Sequence, residues 1–346
     1  RFGTPSLGVR SATTLTPTPW RSCGELAEVP QLKFRVFYGG RSASPASPIH
    51  QILEGSAVGV HAPVLVETTI EFVGASRGGD YVDATAGAGG HTHALLAAGA
   101  TRVFALDADI DAVQHLRERF GGDPRVEVAH GNFRDLSHLA PAHGFEKVDG
   151  VVFDLGLSSD QLSDPSRGFS FQLDGPLDMR FDTGSGRPAL DLVNGLSEPR
   201  MADLLRQFGD ERRAGRIARR IVQRRPIAST GQLAAAVRSA VPGRSRIHPA
   251  TRTFQAFRMA TNDELGALLA GLSAARGLAT PNGRVVVISF HSHEDRIAKH
   301  QFRAWASADD ADILTRSPVR ADTTEVAANR RSRSAKLRAA RLKQSN

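Results

Sequence analysis

Short apolar runs, several ending in an acid, alternate with longer amphipathic stretches through the middle of the chain. "DYVDAT" (80–85), "RVFALD" (102–107), "RVEVAH" (125–130) and "VDGVVFDLG" (148–156) have the composition and length of strands. Between them, "GHTHALLAAG" and "DIDAVQHLRERF" read as helices. This alternation predicts an α/β fold with a parallel sheet covered on both faces. The rhythm stops after the fourth strand. Residues 162–250 hold few strand signals and a basic helical pattern, "RMADLLRQFGDERRAGRIARRIVQRR" (200–225). It resumes with a helix over 252–276, a Pro-Asn-Gly turn at 281–283 and the strand "RVVVISF" (284–290). The pattern therefore predicts a sheet domain in two pieces, 61–161 and 251–346, the second ending in a basic tail. A helical insert over 162–250 interrupts it.

The first 60 residues differ from the rest. Residues 1–50 carry six basic residues and only Glu25 and Glu28 as acids, with many Ser, Thr and Pro and no long periodic element. An arginine-rich, hydroxyl-rich, acid-poor leader is the composition of an organelle transit segment. The expectation is import into the mitochondrial matrix, with cleavage near Phe37 or Tyr38. The competing expectation is a bacterial cytoplasmic protein whose first 60 residues are disordered or misassigned.

Composition changes this picture in two places. No apolar run approaches the roughly 20 residues that span a bilayer, and the single cysteine, Cys23, excludes a disulfide framework or a cysteine-built zinc site. Lysine and arginine outnumber acids 44 to 36 among 346 residues, which suits a polyanionic partner.

The glycine turn in "YVDATAGAGGHTHALLAAG" (81–99) carries the first chemistry. A strand, a glycine turn and a helix in that order bind ligands with ribose or phosphate. A dinucleotide fingerprint requires G-x-G-x-x-G, but after Gly87 and Gly89 the third position is Thr92, and the extra glycine is Gly90. A phosphate loop requires Lys followed by Ser or Thr, where His91 and Thr92 stand. Asp83 before the turn repels a pyrophosphate and suits an amine-bearing ligand. Asp107 ends the second strand, where an acid binds both ribose hydroxyls. These features favour S-adenosylmethionine over NAD. Phe133, after the third strand, is placed to stack on an adenine ring, and Asp154 ends the fourth strand at the ligand-binding edge of the sheet.

Longer strings carry a resemblance. "HAPVL" (61–65), "DATAGAGGH" (83–91), "LDAD" (106–109), "DLGLSSDQL" (154–162), "RGFSF" (167–171), "DGPLDMR" (174–180), "HPATRTFQAFRMATNDEL" (248–265), "SFHSHEDR" (289–296) and "RSAKLRAA" (333–340) occur in order. In them the chain resembles the bacterial small-subunit rRNA cytosine-N4 methyltransferase family, the MraW/RsmH type, and its mitochondrial relatives. The resemblance implies a class I, Rossmann-like methyltransferase fold. It also implies S-adenosylmethionine contacts at Gly89, Gly90, His91, Asp107, Phe133, Asp154 and Gln161, joined in the residue reading by Asp83 and Gly87. The chain departs from the family at His293, where leucine is usual, and at Thr261, where an aliphatic residue is usual.

The implied reaction moves a methyl group to the exocyclic N4 of a cytidine in small-subunit rRNA. That nitrogen's lone pair is delocalised into the ring, so an acceptor aligned on its N–H groups is needed, with in-line placement against the methyl group. Asp154 is the first candidate; Asp178 and His291 follow, against a salt bridge from Asp178 to Arg180 and a backbone-satisfied His291. The pairs His91/His93 and His291/His293 invite a metal reading, but methyl transfer from a sulfonium needs no Lewis acid, and no metal is expected. Arg212, Arg213, Arg216, Arg219, Arg220, Arg224 and Arg225 crowd the insert, Arg244, Arg246 and Arg252 follow, and the tail adds Arg330, Arg331, Arg333, Lys336, Arg338, Arg341 and Lys343. Arg180, Arg216, Arg219, Arg220 and Arg252 are the expected RNA contacts, with small-subunit rRNA or the assembling subunit as partner. Two rival readings are a non-catalytic rRNA-binding assembly factor and, disfavoured by Thr92, an NAD-dependent oxidoreductase.

Overall fold

A computed structural model describes residues 63–343, apart from 242 and 244–247. The expected leader, its cleavage site, Arg244 and Arg246 lie outside the described residues.

The chain enters through α1 (Val66–Val73) and then alternates strands and helices: β1 (Asp80–Asp83), α2 (Gly90–Ala98), β2 (Arg102–Asp107), α3 (Ile110–Phe120), β3 (Val126–His130), α4 (Leu136–Ala142) and β4 (Val148–Asp154). Helices follow: α5 (Ser159–Ser163), α6 (Ala189–Gly195), α7 (Glu198–Gly209), α8 (Ala214–Gln223), α9 (Thr230–Ala240), α10 (Thr251–Asn262) and α11 (Glu264–Leu278). The sheet resumes with β5 (Ala279–Ser289), α12 (Ser292–Ser307), β6 (Ala311–Ile313), α13 (Thr323–Ala328) and β7 (Lys336–Leu342).

The described strands form one sheet in the order β3-β2-β1-β4-β5-β7-β6. The first five pair in parallel, and β7 runs antiparallel to both β5 and β6. Strand order reverses between β1 and β4, which opens a crevice at their carboxyl ends. The middle strands are buried on both faces, which explains their near-continuous apolar runs. One face packs Phe104, Leu106, Phe153, Leu268, Leu272 and Phe302, and the other packs Tyr81, Leu95, Val103, Leu116, Val286 and Leu337.

A third apolar cluster holds the helices between β4 and β5 together, through Met179, Met201, Leu205, Ile217, Ile221, Leu233 and Val237. Helix α8 buries Ile217, Ala218 and Ile221 there and leaves Arg216 and Arg219 exposed, an amphipathic pattern read out in three dimensions. Phe254 and Phe257 of α10 join this cluster, whereas Leu268 and Leu272 of α11 cover the sheet. The packing partner changes between α10 and α11, at Asp263.

The structure departs from the sequence expectations at four points. The basic pattern over 200–225 is two helices, and the helix expected over 252–276 is also two. The breaks fall at Asp210 (φ 48) and Asp263 (φ 47), left-handed positions that Asp tolerates better than most residues. The Pro-Asn-Gly segment lies inside β5 as an irregularity: Val148 pairs with Ala279 and Gly150 with Arg284, and Asn282 has φ 67. The supposed basic tail is mostly β7, an interior strand of the sheet. Its charges are answered locally: Asp295 takes Lys336 (3.1 Å) and Arg338 (2.6 Å), and Asp312 takes Arg341 (2.6 Å).

Candidate active site

The crevice between β1 and β4 opens into a cavity of about 660 Å³, within the size range of small-molecule sites. Its near wall is the glycine turn. Gly87 (φ 51) and Gly89 (φ 79) are left-handed, and a Cβ at Gly89 would lie 2.5 Å from Phe120, so glycine is required for α2 to start against α3. Gly89 itself does not line the cavity, but Gly87, Gly90 and His91 do.

Asp107 holds the opposite side of the turn. The Gly87 N–H donates to its Oδ2 (2.7 Å) and the Asp109 N–H to its Oδ1 (2.8 Å). Burial pushes its pKa up to about 6 against the lowering effect of those two bonds. Phe133 lines the cavity and meets Phe153 edge to face at 5.6 Å. Gln161 caps its own helix, its Oε1 accepting from the Ser158 N–H (3.0 Å), while its Nε2 donates to Asp109 Oδ2 (2.8 Å).

Asp154, at the end of β4, lies 3.3 Å from His91 Nε2. Burial opposes protonation of that imidazole, but the Asp154 carboxylate raises its pKa overall. Asp154 Oδ1 and His91 Nδ1 are buried without a hydrogen-bond partner among the described residues. Such orphaned groups on a cavity wall fit a ligand that brings its own donor and acceptor. Asp83, expected in contact with the ligand, is instead fully buried behind the turn and absent from the cavity wall. Its Oδ2 accepts the Thr92 hydroxyl (2.8 Å), and desolvation raises its pKa. It holds the start of α2 in place.

The remaining expected residues do not line the cavity. Asp178 takes two hydrogen bonds from Arg180 (2.8 and 2.7 Å), so the salt-bridge reading describes both, and Arg180 is not a free cation. His291 caps α12: its Nδ1 accepts from the Glu294 N–H (3.4 Å), and its Nε2 lies 3.1 Å from Glu294 Oε1. Arg252 donates to the Asp210 carbonyl (3.2 Å), and Arg219 pairs with Glu198 (3.3 Å) across exposed surface. Arg225 donates to the carbonyls of Val193 (2.8 Å) and Leu196 (2.6 Å) and so ties helices together.

Several wall residues carry no distinctive local sequence signal as site residues: Asp109, Arg167, Glu264, Phe290, Glu294 and Arg331. Arg167 belongs to the "RGFSF" string. It is buried, donates to Asp109 Oδ2 (2.7 Å) and to the carbonyls of Arg180 (3.1 Å) and Phe181 (2.8 Å), and so ties the segment after β4 to the start of α3. Arg167→Ala leaves Asp109 with less compensation in a buried setting. It is expected to cost about 3–5 kcal/mol of stability in urea unfolding; a loss below about 1 kcal/mol would show that the pair is not structural.

Glu264, His291 and Glu294 bring possible metal-ligand atoms within 4.8 Å of one another. Arg258 already engages both Glu264 oxygens (2.7 and 2.8 Å), and Glu294 Oε2 accepts from the Phe290 N–H (2.8 Å). Glu264 and Glu294 are thus engaged by protein donors on the cavity wall, while His291 Nε2 is buried without a hydrogen-bond partner among the described residues.

A seven-stranded sheet that is parallel except for β7, with a β1/β4 switch point, a glycine turn into a helix and an acid ending β2, has the architecture of a class I S-adenosylmethionine-dependent methyltransferase. The model of the MraW methylase family matches residues 59–343. Among curated relatives, the ribosomal RNA small subunit methyltransferase H of Thermomicrobium roseum is 51% identical over 312 residues, covering 83% of this chain and 95% of that protein. The protein of the same name from Deinococcus radiodurans is 48% identical, covering 80% of this chain and 88% of its own length. A solved rRNA methylase from Streptococcus thermophilus aligns over 87% of this chain and 100% of its own, with 11% identity and a TM-score of 0.39. The chain belongs to the MraW methylase family.

Proposed function

We propose that the protein transfers the methyl group of S-adenosylmethionine to the exocyclic N4 of a cytidine in small-subunit ribosomal RNA. The single observation that carries this reading is the cavity at the β1/β4 switch point, where Asp107 and the unpartnered Asp154 Oδ1 share one wall system with the glycine turn. S-adenosylmethionine supplies a methyl group made electrophilic by its sulfonium. Asp107 is placed to accept from the two ribose hydroxyls, and Phe133 offers an aromatic face to the base. Asp154 orients the target amine and accepts its proton as the N–C bond forms and the S–C bond breaks. The target base must leave its stack to reach this position. The purified protein should introduce N4-methylcytidine into small-subunit rRNA that lacks it; RNA bound but left unmodified would favour the assembly-factor reading.

In this proposal residues 61–161 and 251–346 form the catalytic unit and 162–250 the RNA-docking unit. Arg216 and Arg220 support it, since neither has an ion-pair partner among the described residues, Arg216 being exposed and Arg220 half-buried on α8. Neutralising Arg216, Arg219 and Arg220 together is expected to weaken RNA binding and to flatten its salt dependence, each lost phosphate contact removing about 0.7–0.9 from the slope. Cofactor affinity should be retained. A triple variant with the wild-type salt slope would make α8 a solvated face.

The curated relatives named above are bacterial, and no described helix is long and apolar enough to cross a membrane. Residues 1–60 remain the basis of the mitochondrial expectation. Fusing them to a fluorescent protein in eukaryotic cells tests it, and a diffuse cytosolic signal would remove it.

A further inference from the structure

Among the basic residues of the C-terminal segment, Arg330 and Arg333 are exposed to solvent. Lys336, Arg338, Arg341 and Lys343 are each matched by a carboxylate. Arg331 is different. Its side chain reaches the cavity wall, where Nη1 donates to Ser159 Oγ (2.6 Å) and Nη2 to the Leu157 carbonyl. Both partners are neutral, and the nearest attracting carboxylates, Asp154 and Asp160, act on it from beyond ion-pair distance. A guanidinium stays charged when desolvated, so a partly buried one with no directly paired carboxylate gains from a ligand that supplies the anion.

We infer that Arg331 receives a phosphate oxygen of the target nucleotide, which makes it a positioning residue for the RNA strand at the mouth of the site. This rests on the rRNA-methylating function proposed above. The cavity wall also carries Asp107, Asp111, Asp154, Asp160, Glu264 and Glu294, a charge that repels a polyanion. A base brought out of its stack carries its own phosphate to the rim of the pocket, so a cation is needed there. Arg167 is committed to Asp109 (2.7 Å), and Arg119 donates to the Ala88 carbonyl (2.6 Å) on the glycine-turn side. The competing anion is the cofactor's own carboxylate. The start of α2 at Gly89, which has no side-chain cap, offers that group first-turn N–H donors elsewhere on the wall.

Full-length Arg331→Met and Arg331→Lys variants distinguish these occupants. The measurements are KM and kcat with unmethylated small-subunit rRNA, the salt slope of RNA binding, and the Kd of S-adenosylhomocysteine. The Met variant should raise KM for RNA at least tenfold and reduce the salt slope by about 0.7, one single-strand phosphate contact. Its Kd for S-adenosylhomocysteine should stay within twofold of wild type, and the Lys variant should recover part of the RNA affinity. A raised Kd for S-adenosylhomocysteine with unchanged KM for RNA would assign Arg331 to the cofactor and overturn the inference. Unchanged constants, or equal losses of both in Met and Lys variants, would reduce it to a tie for the Leu157 loop. Wild-type methylation of the same RNA is measured first; its absence would bring down the function, and this inference with it.

Discussion

Asp107→Ala is expected to weaken S-adenosylmethionine binding at least tenfold while leaving RNA affinity nearly unchanged. A carboxylate that accepts from two ribose hydroxyls makes two charge-assisted hydrogen bonds, each worth about 1.5–3 kcal/mol. The same carboxylate holds the Gly87 and Asp109 N–H groups (2.7 and 2.8 Å), so its loss also loosens the turn. Asp107→Asn keeps an acceptor and should lose less. Calorimetry with S-adenosylhomocysteine gives both numbers, and unchanged affinity in the Ala variant would sink the assignment.

The pH dependence follows from the same residue. Burial raises the Asp107 pKa to about 6, above the unfolded value near 4. Between those values the folded, unliganded protein holds a proton that the unfolded chain has released. Asp107 therefore stabilises the free protein at low pH, and that contribution is lost as pH rises through about 6. Cofactor binding runs the other way, because two hydroxyl donors prefer the ionised carboxylate. Affinity should fall as pH drops below about 6, and Asp107→Asn should abolish that transition.

Asp154→Asn is expected to lower the rate of methyl transfer by roughly 10²–10⁴, the range for a positioned proton acceptor, with RNA affinity retained. Asparagine keeps the shape of the side chain but cannot take the proton, and it loses the charge facing His91 at 3.3 Å. Single-turnover transfer at saturating cofactor separates this effect from weaker binding. Asp178→Asn and His291→Gln provide the contrast. Asp178 is bound to Arg180 and His291 caps α12, so both changes should lower stability with little effect on the transfer rate. If Asp154→Asn retained the rate and Asp178→Asn abolished it, the two roles would be exchanged.

Much of the site was legible because its parts are local. A glycine turn after an apolar run, an acid at the end of the next strand and Asp154 after the fourth each lie within a few residues of the pattern that marks them. Asp83 shows the limit of that reading. Its position beside the turn is apparent from sequence, but whether a carboxylate faces the ligand or the helix depends on a side-chain direction. Here Thr92 takes one oxygen, and the other is buried without a hydrogen-bond partner among the described residues. The Arg-rich C-terminal segment shows another limit. Its net charge suggested a basic tail suited to RNA, but the buried positions Leu337, Ala339, Ala340 and Leu342 make it a strand, and Asp295 and Asp312 supply its partners.

The sequence by itself determined the strand and helix rhythm, the glycine turn, the acids at the strand ends and the family, because each is written in neighbouring residues or in long ordered strings. Tertiary structure alone decided which of those groups meet. Arg167 reaches Asp109, 58 positions away, and Arg331 reaches Leu157, 174 positions away. Chain folding carries those pairs across the sheet edge, and no local period or spacing encodes a contact of that range. It also decided which cations remain without a counter-ion. That depends on where every carboxylate falls in space, and only the packed sheet and the helices beside it fix those places.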